Sequence, residues 1–343
     1  MTGRISGQKI LVTGGTGFIG SALINGLLHA GAHVRSLDND SRGAVNKLGG
    51  ALSRIERATG DVRDSTAVRN AVRGMDAVYH LAYINGTEFF YSQPELVLEV
   101  ATKGIMNVLD ACVAEGVREL VLASSSEVYQ APPVIPTGEA VPLTVPDVMN
   151  PRFSYGGGKI VSELLAVNYG RRFFDRTLIF RPHNVYGPDM GREHVIPQFI
   201  LRVMERGDRQ PRGVLEFPIQ GTGEETRAFI YIDDLVRGLL RAVEHGDRLG
   251  IYHIGTEREV SIRDLAHLVA RACGREIRLV PGPLLEGSTP RRCPDISKLR
   301  RLGFEPTVSL EDGLRLTAAW YLTNSTVRHT PRGAASASPV VRS

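Results

Sequence analysis

Short, continuous apolar runs alternate with longer amphipathic ones through the first half of the chain. Residues 10–13, 34–38, 77–81, 119–123 and 177–181 read as strands buried on both faces, whereas 96–115 and 159–174 carry helical periodicity. That alternation predicts βαβ units, an α/β fold with a doubly wound parallel sheet and helices on both faces. Ligands of such sheets bind beyond the carboxyl ends of the strands. After residue 181 the pattern shifts to Pro- and Gly-rich loops with helices at 196–206, 232–244, 262–273 and 310–322. This predicts a sheet domain over 1–180, with about 228–256 returning to it, and a smaller mixed α/β C-terminal lobe over 181–322. Residues 325–343, rich in Ser, Ala, Pro and Arg with little apolar content, read as a disordered tail.

Composition narrows the partners. The net charge of +4 comes from scattered basic residues, which argues against nucleic acid. No run approaches the roughly 20 apolar residues of a membrane span, and the opening MTGRISGQ lacks the apolar core of a secretory signal. No membrane association and a cytoplasmic location are therefore expected. Cys112, Cys273 and Cys293 have no metal-ligand spacing, so reduced thiols and no metal site are expected.

The first chemistry lies in KILVTGGTGFIG, residues 9–20, where an apolar strand breaks into glycines and resumes as a helix. Gly14 suits a tight turn, Gly17 the approach of backbone to a pyrophosphate, and Gly20 the packing of helix on strand. The diphosphate then rests on unpaired N–H groups at the helix N-terminus. Asp38, closing the second strand, is placed to accept the adenosine ribose hydroxyls and favours NAD over NADP, although Arg35 and Arg42 lie nearby in sequence. Asp61 and Val62, after a third short segment, are expected beside the adenine. The sheet domain is therefore of the Rossmann type.

A second constellation is Tyr155 and Lys159, four residues apart on one helix face. An ammonium beside the phenol would stabilise its phenolate and lower its pKa from about 10. The intervening Gly156, Gly157 and Gly158 each cost a helix about 1 kcal/mol relative to alanine. Close approach of a cofactor or substrate would explain them. Ser124, Ser125, Ser126 and Glu127 follow the apolar run 120–123 at a strand's carboxyl end, where a hydroxyl could bind a substrate oxygen. Glu127, two positions beyond Ser125 in an extended segment, would share its face.

Together these motifs resemble the extended short-chain dehydrogenase/reductase family, in its nucleotide-sugar epimerase/dehydratase branch, over about residues 8–322. GGTGFIG, Asp38-Asn39, Gly-Asp-Val at 60–62, His-Leu-Ala at 80–82, SSSEVY at 124–129, YGGGK, RPHNVYGP at 181–188 and RAFIYIDD at 227–234 occur in that family's order. The resemblance implies NAD bound by Gly14, Gly17, Phe18, Ile19, Gly20, Asp38, Asn39, Asp61, Val62, Leu81, Ala82, Tyr155, Lys159 and His183. It implies Ser125, Tyr155 and Lys159 as the catalytic set. A UDP-, GDP- or dTDP-sugar would meet Ser126, Asn184, Val195, Arg227 and Arg292, with Arg291 competing for the last role. It also implies a homodimer formed through the helices at 96–115 and 159–174. Two positions depart from the pattern: Ala101 stands where the family usually has Asn, and Gln130 where it has Gly.

The shared chemistry implied is removal of hydride from a sugar carbon, normally C4, while Tyr155 takes the hydroxyl proton. Re-reduction from the other face would make the protein an epimerase. Ser126-Glu127 replaces the Asp-Glu pair of dTDP-glucose-type dehydratases and resembles the arrangement in UDP-glucuronate decarboxylases. A 4,6-dehydratase, a decarboxylase, or a C3/C5 epimerase using Glu127 and His194 as acid and base are therefore the enzymatic alternatives. An NAD-sensing regulatory protein is the alternative outside catalysis.

Overall fold

A computed structural model describes residues 3–283 and 289–324, so the tail expected at 325–343 lies outside the described residues. The five apolar runs become β1 (Lys9–Thr13), β2 (His33–Asp38), β4 (Ala77–His80), β5 (Glu119–Ala123) and β6 (Arg176–Pro182), and between β2 and β4 in the chain the sheet gains a polar, largely exposed edge strand, β3 (Glu56–Thr59). Four short strands follow: β7 (Val185–Tyr186), β8 (Leu215–Ile219), β9 (Thr226–Ala228) and β10 (Ile230–Tyr231). The next strand, β11 (Leu249–Ile254), returns to the edge of the main sheet beside β6. The order β11-β6-β5-β4-β1-β2-β3 is parallel throughout and reverses between β1 and β4. A ligand crevice opens at that reversal.

Both faces of the sheet are buried, so alternate residues serve different cores. Ile10 and Val12 of β1 pack with Leu23 and Leu27 of α1 (Phe18–His29) and with Leu235 and Leu239 of α8 (Ile232–His245). Leu11 between them faces Val68 of α2 (Ser65–Val72), Val108 of α5 (Ile105–Glu115) and Ala166 of α6 (Ser154–Arg172). The same core that takes Ile10 runs on into the lobe, where Phe199 of α7 (Val195–Arg209) and Leu265 of α9 (Ile262–Ala272) join it. In the lobe β8 pairs with β13 (Ile277–Pro281), while β9 lies between β12 (Glu259–Ser261) and β14 (Arg291–Arg292). Helices α10 (Ser297–Arg300) and α11 (Leu310–Thr323) complete it. No helix among the described residues is long and apolar enough to cross a membrane.

The helical segment 96–115 is observed as one run from residue 94 to 115, preceded by the short α3 (Thr87–Ser92): α4 (Pro94–Glu99) passes through a π-helical turn at Val100–Gly104 into α5, and only that turn departs from the periodicity. The Ala101 carbonyl in that turn accepts a hydrogen bond from Ser162 on α6 at 3.2 Å, which supplies a partner where the helical pattern loosens. Helix α6 starts at Ser154, so Tyr155 lies at its start as the pairing with Lys159 expects and the three glycines fall in its first turns.

Candidate functional site

The glycine loop is shaped by space and by sign of φ. Gly14 has φ +74°, and a Cβ there would lie 2.8 Å from the Ala82 nitrogen. A Cβ at Gly20 would lie 2.1 Å from the Gly14 carbonyl, so helix and strand meet at backbone contact. Gly17 caps α1 without any side-chain bond, leaving the helix N-terminus open toward the cavity. Each Asp38 oxygen accepts one backbone N–H, from Thr16 and from Asp40, both at 2.9 Å. The carboxylate is thus aimed while keeping lone pairs for ribose hydroxyls. The two arginines that could have met a 2′-phosphate are engaged elsewhere: Arg35 with Glu56 at 2.6 Å and Arg42 with Glu193 at 2.9 Å. Further along the wall, Asp61 pairs with Arg63 at 2.8 Å and accepts from Asn39 at 3.0 Å. The Arg63 hydrogen bond holds the Asp61 carboxyl below its usual range against the opposing effect of burial. These residues fit NAD.

One cavity of about 690 Å³ runs from this loop to the carboxyl ends of β4 and β5. It brings together Gly14, Gly17, Phe18, Ile19, Gly20, Asp38, Asn39, Asp61, Val62, Leu81 and Ala82 at one end. At the other it gathers Ser125, Ser126, Glu127, Tyr155, Lys159, Asn184, His194 and Arg292. Ser125 has extended backbone, but the segment that carries Glu127 does not stay extended as expected: Ser125 caps a short 3₁₀ turn, Ser126–Val128, and its Oγ accepts from the Glu127 N–H at 3.1 Å. Ser124 lines the same cavity and donates to Glu163.

The electrostatics of the tyrosine differ from the sequence expectation. Burial pushes the Tyr155 phenol up to about 12; a hydrogen bond with Ser125 and the Arg292 charge oppose the rise, and Glu127 adds to it. Burial likewise brings Lys159 down to about 7, with Glu163 opposing. The ammonium donates to the Ala123 carbonyl at 2.6 Å and lies 5.9 Å from the centre of the Tyr155 ring. Its charge is therefore spent beside the strand end rather than on the phenol, which is why it does not lower the phenol in this state. The glycines also have another reason than the one expected. A Cβ at 156 would meet the Gln130 amide at 2.4 Å and the Glu127 carbonyl at 2.8 Å, and one at 158 the Tyr83 hydroxyl at 2.4 Å. Protein, not ligand, fills the space beside both. Gln130 itself has φ +52°, the conformation that suits the family's glycine, and its side chain donates to the Glu127 carbonyl at 2.6 Å.

Glu127 sits in a ring of guanidinium groups. Burial would raise its pKa, but Arg292, bound to it at 2.5 Å, with Arg152 and Arg227 farther off, lowers it on balance. Arg291 turns outward to Glu259, so Arg292 is the one that enters the cavity. The Nε of Arg292 and the Nε of Arg152 are buried without a partner. Three cations around one carboxylate leave an excess of positive charge suited to an anionic substrate.

Three expected residues are off the cavity wall. His183 is 1% exposed, stacks edge-on against His253 at 4.7 Å, and has no hydrogen-bond partner on either ring nitrogen. Val195 is the first residue of α7 and packs on the core. Arg227 lies behind Arg292, donating to the Thr226 and Thr289 carbonyls at 2.7 and 2.6 Å. His194 precedes α7 without capping it through its side chain, and burial lowers its pKa. Sequence reasoning missed Tyr83, Arg152, Lys47 and Glu193, all on the wall. Lys47 pairs with Asp189 at 2.5 Å, so with Arg42 and Glu193 it ties the loop after β2 to the loop before α7. No group of three or more metal-ligating side chains occurs among the described residues.

The family model described as "NAD dependent epimerase/dehydratase family" matches residues 10–255. The chain is 32% identical to a dTDP-4-dehydro-6-deoxy-D-allose reductase of a Streptomyces species, over 93% of this chain and 97% of that one. It is 33% identical to UDP-glucuronic acid decarboxylase 6 of Arabidopsis thaliana, over 91% and 88%. Among solved structures it resembles the UDP-glucose 4-epimerase of Thermus thermophilus in complex with NAD, with TM-score 0.80, 27% identity, and 92% and 99% of the two chains covered.

Proposed function

Given that the chain belongs to the NAD dependent epimerase/dehydratase family and uses NAD, we propose that it is a nucleotide-sugar epimerase working through a transient keto-sugar. The observation that carries this reading is the meeting of Tyr155, Ser125 and Lys159 in the same cavity as the glycine loop and Asp38. Tyr155 takes the proton of the C4 hydroxyl, Ser125 holds that hydroxyl against the phenol, and Lys159, whose ammonium leans on the Ala123 carbonyl, is the cation that would stabilise the phenolate once NAD is bound. When bound, NAD⁺ supplies the hydride acceptor and, once reduced, the donor. Asn184 and Arg292 would receive the diphosphate. The keto-sugar turns over in the cavity and is reduced from its other face, and Tyr155 returns the proton.

The Glu127–Arg292 pair favours a second reading, decarboxylation of a nucleotide-linked uronic acid. An inversion confined to C4 has no task for a buried carboxylate held by a guanidinium. A uronate would find partners in the unpaired nitrogens of Arg152 and Arg292. Loss of water is less well supported, since Ser126 stands in place of a carboxylic acid. Incubation with a panel of UDP-, GDP- and dTDP-sugars and uronic acids in deuterated water, followed by NMR, separates these outcomes. Inversion at C4 without label supports the epimerase, and loss of CO₂ the second reading. Glu127→Gln is expected to leave C4 inversion within about tenfold of wild type and to lower decarboxylation by at least about 10². No conversion of any member of the panel, with NAD bound, would sink both.

The active form is proposed to be a homodimer. Leu98 on α4, with Val161 and Leu164 on α6, exposes apolar surface along two helices that pack side by side. Leu164→Glu is expected to halve the mass measured by light scattering; an unchanged mass would remove this face from consideration.

A further inference from the structure

Tyr83, in the loop after β4, stands where several of the chain's peculiarities meet. The Lys159 ammonium lies 3.7 Å from the centre of its ring. Its hydroxyl donates to the Tyr155 backbone carbonyl at 3.2 Å, and the two tyrosine rings meet edge-on with centroids 5.1 Å apart. Room for it depends on two small residues: a Cβ at 158 would lie 2.4 Å from the Tyr83 hydroxyl and 2.7 Å from the Ala101 Cβ. Gly158 and Ala101, the latter a departure from the family pattern, are thus parts of one arrangement.

A buried ammonium without a counter-charge is costly. Among the described residues no carboxylate forms an ion pair with Lys159; Glu163, one turn along α6, acts on it only through space. His80 on β4 is kept neutral by burial, and the Tyr155 ring centre is 5.9 Å away. The Ala123 carbonyl takes one of its N–H groups at 2.6 Å, and beyond that the Tyr83 face, 3.7 Å away, is the nearest ring that attracts a cation without carrying charge. We propose that Tyr83 is a positioning residue, which keeps Lys159 protonated and aimed by seating its ammonium on the ring face while its hydroxyl fixes the first turn of α6. Its value to catalysis rests on the reading of Tyr155 and Lys159 as the acid–base pair. Its effect on Lys159 does not.

The test follows Lys159 directly, by NMR titration of the full chain carrying isotope-labelled lysine, with the resonance identified by its loss in Lys159→Met. Position 83 is occupied in turn by Phe, difluorophenylalanine and pentafluorophenylalanine, which keep the ring's shape while draining the negative charge from its face, and by Leu. Tyr83→Phe is expected to titrate close to wild type. The fluorinated series should fall stepwise, the last by about one pH unit, a tenfold loss of proton affinity or about 1.4 kcal/mol. Tyr83→Leu should fall as far, and if it does not fold, the fluorinated rings decide alone. A midpoint that stays constant across the series would overturn the proposal. No substrate is needed, so this result is independent of whether the epimerase reading stands.

Discussion

Tyr155→Phe is expected to lower kcat by about 10²- to 10⁴-fold while leaving NAD binding and stability close to wild type. The ring is retained, and with it the edge-on contact to Tyr83 and the tilted contact to Phe90 at 5.0 Å. What disappears is the phenolic oxygen and its hydrogen bond with Ser125. Because that oxygen takes a proton only as the carbinol is oxidised, the loss belongs in kcat and kcat/KM together, with little change in KM. The measurement is turnover of whichever nucleotide sugar the NMR panel identifies, beside calorimetric titration with NAD. Turnover within about tenfold of wild type would remove Tyr155 from the chemistry, and with it the proposed route through a keto-sugar.

The parts of the site visible in the sequence are those whose chemistry is local. Gly14, Gly17 and Gly20 are needed within one turn of a phosphate loop, and Asp38 follows at the end of the next strand, so spacing alone discloses them. The five inner strands of the parallel sheet were legible for the same reason, since strands buried on both faces are short and continuously apolar; the edge strand β3, Glu-Arg-Ala-Thr and largely exposed, carries no such signal. The rest depends on what folding brings together. Glu127 and Arg292 are separated by 165 positions and Tyr83 and Tyr155 by 72. Which of Arg291 and Arg292 enters the cavity is decided by one residue of register on a two-residue strand. His183 belongs to a recognisable motif, yet its side chain is turned into the core against His253. The glycines at 156 and 158 mark close approach, but no sequence pattern says what approaches. Similarly, spacing puts Tyr155 and Lys159 on one helix and one cavity wall, whereas burial controls their titration, and burial belongs to the assembled fold.

Beneath the proposed catalytic residues, Arg181→Met is expected to destabilise the protein by about 3–5 kcal/mol, the largest stability loss anticipated for a single side chain here. Arg181 is 2% exposed and grips Glu163 through two hydrogen bonds, at 2.8 and 2.5 Å. It also donates to the Glu139 carbonyl at 2.9 Å and to the Tyr129 hydroxyl, which bonds His253 at 2.7 Å. Glu163 in turn accepts from Ser124, the neighbour of Ser125. Methionine fills most of the volume but leaves a carboxylate stranded without its counter-charge, and that stranding, more than the lost attraction, sets the cost. Urea unfolding of the NAD-free protein, followed by two optical probes, measures it. Adding Glu163→Leu to Arg181→Met should recover a large share of the loss, because two apolar side chains can replace a buried pair at little net cost. A single variant within about 1 kcal/mol of wild type would mean that water or a shifted side chain reaches Glu163. Failure of the double variant to recover would place the cost in the Tyr129–His253 side of the network instead. Recovery of stability without recovery of turnover would show that the network also holds Ser125 in place through Ser124.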